Sequence, residues 1–131
     1  MKRFMPEIEF QSREKIKAFQ EEKLSEMLNY LQSKSPYYKR IFAEHNIAIN
    51  EIKTIEDLQK IPFTTKEDLQ LHNQDFICVD PSEIRDYITT SGTLSDPTTF
   101  ALTENDLVRL SYNEAISFTC AGGHKGEIYQ L

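Results

Sequence analysis

Apolar residues early in the chain recur at the helical period. Leu24, Met27, Leu28 and Leu31 fall at i, i+3, i+4 and i+7, and Ile16 and Phe19 extend the stripe upstream. Glu14, Glu21, Glu22, Lys23 and Glu26 take the wet face, so the spacing predicts one amphipathic helix over residues 12–33. Ser35-Pro36 ends that helix and opens another, because proline suits the first helical turn. The second helix reads PYYKRIFAEHN, with Tyr37, Tyr38, Ile41 and Phe42 as its buried side. Thr54 with Asp57 forms a capping-box pattern for a short helix that runs to about Lys60, ahead of Pro62. The run Thr64-Thr65-Lys66-Glu67-Asp68 offers threonine three residues before an acid twice over, which marks another helix start.

The period then changes. Residues 76–79 are a short apolar run closed by Asp80-Pro81. Residues 84–89 and 98–102 read as strands whose pairing makes a hairpin with a long polar tip. A third capping box, Thr103 with Asp106, opens a helix to about Cys120, which Gly122-Gly123 ends. Leu107, Val108, Leu110, Tyr112, Ala115, Ile116 and Phe118 spread around most of that helix, the pattern of an element enclosed by a larger body. GEIYQL at the end reads as the start of a buried strand with few neighbours left to pair. The expectation is the front end of a longer protein; the alternative is a small α+β domain complete in itself.

Composition narrows the function classes. The chain has 131 residues, a net charge of −6 and a pI near 5.1, so it lacks the clustered cations of a broad nucleic-acid surface. No apolar run approaches the roughly 18 residues of a membrane span. The N-terminal MKRFMPEIEF has two cations but no apolar stretch behind them, unlike a secretory signal, and cytoplasm is the default expectation. Cys78 and Cys120 form no C-x-x-C pair and are expected as buried free thiols. His45, His72 and His124 are isolated, and no zinc-like spacing is present. Tyr37 and Tyr38, at helical spacing beside Ile41 and Phe42, are expected in the core or at a subunit contact rather than in a substrate cage.

The chemistry lies in the hairpin tip, TTSGTLSDPTTF. Thr89, Thr90, Ser91, Thr93, Ser95, Thr98 and Thr99 supply hydroxyls that can donate to phosphate oxygens. Gly92 lets the backbone approach a ligand closely, and successive N–H groups in such a turn make an anion-binding concavity. The same composition also occurs in plain Ser/Thr-rich turns with an Asp-Pro kink. There is no second glycine and no lysine, so this is not the G-x-x-x-x-G-K-[ST] loop.

T-S-G-T-x-x-x-P-T between two strands resembles the phosphate-binding motif of the adenylate-forming enzymes, whose pattern is roughly [ST]-S-G-T-T-G-x-P-[KT]. SPYYKRIFAEHNI, KIPFTTKEDLQ and FALTENDLVRL resemble, in the same order and spacing, segments of the phenylacetate–CoA ligase branch of that superfamily. The resemblance covers about residues 20–131. It implies that Thr90, Ser91, Gly92 and Thr93 touch the ATP phosphates, with Thr98 at the far end of the loop. Ser95 stands where the family's second glycine is usual and joins the expected phosphate-binding set; Leu94 replaces a usual threonine.

The implied reaction joins a carboxylic acid, an aryl acid such as phenylacetate, to coenzyme A. It uses ATP and Mg²⁺ and passes through an acyl-adenylate. The loop supplies no nucleophile and no base, and neither a catalytic residue nor a metal ligand is assigned to this chain. The expected fold class is an α+β or α/β fragment. Residues 1–75 are its helical N-terminal region, and residues 76–131 start the catalytic domain with a β-hairpin carrying the phosphate loop, a helix and the beginning of a sheet. Such a piece exposes apolar surface and tends towards a homodimer. A rival reading is a non-catalytic helical interaction module that keeps a degenerate phosphate loop.

Overall fold

A computed structural model describes residues 8–90, 97–124 and 126–128. Helix α1 spans Arg13–Lys34, with Ser12 accepting from the Lys15 N–H as its cap, and α2 spans Pro36–Glu44. Ser35 joins them. Its N–H donates to the Leu31 carbonyl and closes α1, while its hydroxyl accepts from the Tyr38 N–H and opens α2. Leu28, Phe42 and Ile52 form the buried core, and Leu24, Leu31, Tyr38, Ile47, Ile49 and Ile61 pack around it. Met27 departs from the predicted stripe. It is 50% exposed, because α1 turns its 24/28/31 edge towards α2 and leaves Met27 in an open cleft beside Val79 and Arg109.

Short elements lead on from this core. Residues Ile55–Lys60 form a 3₁₀ helix rather than the expected α-helix. The Asp57 carboxylate there accepts from the Lys53 and Thr54 N–H groups at 3.0 Å each, from the Thr54 hydroxyl at 2.9 Å and from Lys60 at 2.6 Å. Helix α3, Lys66–Leu71, uses Thr65 and Asp68 as a reciprocal capping box, while Thr64 turns away and bonds the Tyr38 hydroxyl at 2.8 Å. A 3₁₀ turn at Asn73–Phe76 follows, docked on α2.

Strands β1, Ile84–Thr89, and β2, Thr99–Thr103, pair antiparallel, and a bulge between Ile84 and Asp86 leaves Arg85 without an opposite residue. Helix α4, Glu104–Cys120, starts from the expected Thr103–Asp106 capping box and packs on β2. Gly122 takes φ +89° just past it, a conformation that glycine adopts without strain. Leu110 and Ile116 on α4, and Tyr87, Ile88 and Phe100 on the hairpin, remain exposed, so nothing among the described residues encloses this half. The apolar pattern of α4 therefore calls for a cover that these residues do not provide. Residues 126–128 form no strand and Ile128 is fully exposed, while residues 129–131 of the expected final strand lie outside the described residues. No helix among the described residues is long and apolar enough to cross a membrane.

Leu28→Ala should lower stability by about 3 kcal/mol in urea unfolding, and a loss under about 1 kcal/mol would contradict its place in the core. Asp57 is held well below its ordinary 3.8, first by Lys60 and then by the backbone N–H groups of Lys53 and Thr54. A depressed carboxylate contributes stability that is present above its unfolded value and lost as pH falls through its folded value. The stability of the native protein should therefore drop more steeply below about pH 4 than that of Asp57→Asn, as read from acid titration of the circular-dichroism signal.

Candidate functional site

The polar tip is the only stretch whose residue types suggest ligand chemistry, and its two ends are described. Thr89 pairs with Thr99 as the last regular register position. One step further, the Thr90 N–H donates to the Thr98 carbonyl at 3.0 Å, and the Thr98 N–H donates to the Thr90 side-chain oxygen, also at 3.0 Å. A side chain thus takes the bond that a ladder carbonyl would take. The regular ladder ends there. Ser91, Gly92, Thr93 and Ser95 of the expected set, with Leu94, lie outside the described residues.

Thr90 and Thr98 differ sharply in environment. Thr90 is exposed, whereas Thr98 is 2% exposed and its hydroxyl oxygen has no hydrogen-bond partner among the described residues. An unpaired buried hydroxyl is unfavourable by about 1–3 kcal/mol and is rare enough to need an explanation.

Behind the hairpin is a cavity of about 340 Å³, lined by Tyr30, Phe76, Cys78, Phe100 and Asp106 among others. The Tyr30 hydroxyl donates to the Cys78 carbonyl at 3.4 Å, and the Cys78 thiol donates to the Phe76 carbonyl at 3.3 Å. Burial pushes the thiol of Cys78 up, so it is a poor nucleophile at neutral pH. Cys78 is half-buried and free, close to expectation. Cys120 corrects it: that thiol is exposed in the last turn of α4.

The tyrosine pair serves the scaffold. Tyr37 is buried and stacks on Phe76 with ring centroids 4.1 Å apart. Burial pushes the Tyr37 phenol up, while the Asp68 carboxylate is held low, mainly by the Thr65 hydroxyl. One residue at the site carried no sequence signal. Asn73 donates its side-chain amide to the Thr99 carbonyl at 2.8 Å. In the sequence it is an asparagine after a helix end, which reads as an ordinary turn residue.

No family model matches the chain. Curated proteins do. The chain is 35% identical over 124 residues to a phenylacetate–coenzyme A ligase of Thermus thermophilus, covering 94% of this chain and 28% of that enzyme. It is 32% identical over 113 residues to one of Pseudomonas putida, covering 86% and 26%. A third, of Escherichia coli, is 30% identical over 117 residues, covering 88% and 27%. The chain thus spans about a quarter of the length of these relatives. A crystal structure of 2-hydroxyisobutyryl-CoA ligase, in complex with 2-HIB-AMP and CoA in the thioesterification state, superposes with a TM-score of 0.76. It is 26% identical and covers 84% of this chain and 24% of that one. An open conformation of that ligase matches with a TM-score of 0.76 at 25% identity, covering 84% and 26%.

Thr98→Val keeps the shape of the side chain and removes the unpaired oxygen. Urea unfolding should find this variant as stable as the native protein or up to about 1 kcal/mol more stable. A loss of more than about 1 kcal/mol would mean that the hydroxyl is already bonded inside the fold.

Proposed function

We propose that this chain, a segment of the phenylacetate–coenzyme A ligase family, is the part of an ATP-dependent acid–CoA ligase that holds the nucleotide phosphates. In the proposed reaction a carboxylate oxygen attacks the α-phosphorus of ATP. The bond to pyrophosphate breaks, and an acyl-adenylate forms. The thiolate of coenzyme A then attacks the acyl carbon and AMP leaves, giving the thioester. An aryl acid such as phenylacetate is the proposed substrate, on the strength of the relatives' names.

The observation that carries this reading is the hairpin mouth. Thr90 and Thr98 stand side by side at the two ends of residues 91–97, and Thr98 has a buried hydroxyl without a partner among the described residues. In the proposed roles Ser91, Gly92 and Thr93 supply hydroxyl and backbone donors to the phosphates, and Ser95 and Thr98 complete the set from the far side. Their contribution is electrostatic: fixed donors stabilise charge that builds on the departing pyrophosphate. Mg²⁺ belongs to the proposal as the counter-ion carried by those phosphates. Among the described residues no three His, Cys, Asp or Glu side chains gather as a metal site. Residues 1–75 are then the helical region that supports the loop, and residues 76–131 open the catalytic domain.

In the enzyme containing this segment, acid-dependent ATP–pyrophosphate exchange should fall about tenfold or more when Ser91 or Thr93 is changed to alanine. Absence of exchange across a panel of aryl and fatty acids would overturn the reading, as would full activity in both variants.

A further inference from the structure

The hairpin is two strands wide, and β1 is exposed along nearly its whole length. Two strands do not hold a fixed position by themselves. If the loop mouth is to meet a ligand in one geometry, a neighbouring element has to hold it, and the helical region supplies one such hold. The bond that reaches across is the one from the Asn73 amide to the Thr99 carbonyl, 2.8 Å long and partly buried, and Thr99 is the residue next to Thr98.

Asn73 is itself held. It begins the 73–76 turn, whose Asp75 carbonyl accepts from the Ser35 hydroxyl at 3.1 Å. The Asp75 carboxylate accepts from Arg40 at 3.1 Å, and the Phe76 ring stacks on Tyr37. The path from α2 to the loop mouth is therefore continuous: Ser35, Arg40 and Tyr37 fix the turn, the turn fixes Asn73, and Asn73 fixes Thr99. The chemistry suits asparagine. A short stem limits its swing, and its amide N–H can donate to a carbonyl. Aspartate has nearly the same shape but would set a carboxylate against the carbonyl oxygen.

We infer that Asn73 is a positioning residue that holds the Thr98–Thr99 side of the loop mouth against the helical region. The consequence for ATP rests on the function proposed above; the consequence for the hairpin does not. The test compares Asn73→Asp and Asn73→Ala with Tyr38→Phe, which removes a single bond of the helical region, to Thr64, away from the hairpin. Hydrogen–deuterium exchange at the Thr90 and Thr98 amides should speed up by about three- to tenfold in the Asn73 variants, the range for one net hydrogen bond. The amides of Leu28 and Phe42 should be unchanged. In ATP–pyrophosphate exchange the KM for MgATP should rise by a similar factor, a change that loss of folded enzyme would not produce. Tyr38→Phe should leave both readouts at the native value. Unaltered exchange at Thr90 and Thr98 in Asn73→Asp would overturn the inference. Faster exchange with an unchanged KM for MgATP would leave Asn73 as the hairpin's anchor and overturn the phosphate role of the loop.

Discussion

The face-to-face contact of Tyr37 with Phe76, with ring centroids 4.1 Å apart, joins the two halves of this chain. On one side lies the helical core around Leu28, Phe42 and Ile52. On the other lies a hairpin with little cover of its own. Ser35 reinforces the junction with three bonds made by one buried residue. Its N–H closes α1, and its hydroxyl accepts from α2 and donates to the Asp75 carbonyl. A buried hydroxyl that both accepts and donates avoids the desolvation penalty of a lone polar group. Its two directed bonds leave the 73–76 turn few alternative placements.

The same polar economy recurs along the chain. Thr65 with Asp68 and Thr103 with Asp106 cap helices in reciprocal fashion, and Asp57 gathers four donors at the head of its 3₁₀ helix. A six-residue helix such as α3 would be marginal alone. Its cap and its docking against the neighbouring turn stabilise it together. These acids also contribute to the net charge of −6. An acidic chain gains no help from its overall field in holding a polyphosphate. Any such grip has to come from local donors, backbone N–H groups and hydroxyls, of the kind concentrated at the hairpin tip.

Much of the fold was legible because its signals are local. The period of Leu24, Leu28 and Leu31, the Ser35-Pro36 break, the capping boxes and the alternation into two strands each depend on residues close in sequence. The strand β2 starts at Thr99 rather than Thr98, since Thr98 already bonds the side chain of Thr90 in place of a ladder carbonyl. The stripe misled at Met27, where helical spacing says which side is apolar but not how wide the covered side is. Of the candidate site, the residue types of the loop were legible, and so was the resemblance of its motif. The burial of Thr98 and the reach of Asn73 were not: the first is a property of packing, and the second joins residues 26 positions apart.

By itself, the sequence determined the order of elements, their starts and stops, and the hydroxyl-rich chemistry of the hairpin tip. Each follows from propensity, capping and period over a few neighbouring residues. The tertiary structure alone decided which threonine is buried, which asparagine anchors the hairpin, and which apolar faces stay open. Those depend on the packing of α2 against the 73–76 turn, and packing is a property of distances between elements that no local pattern encodes.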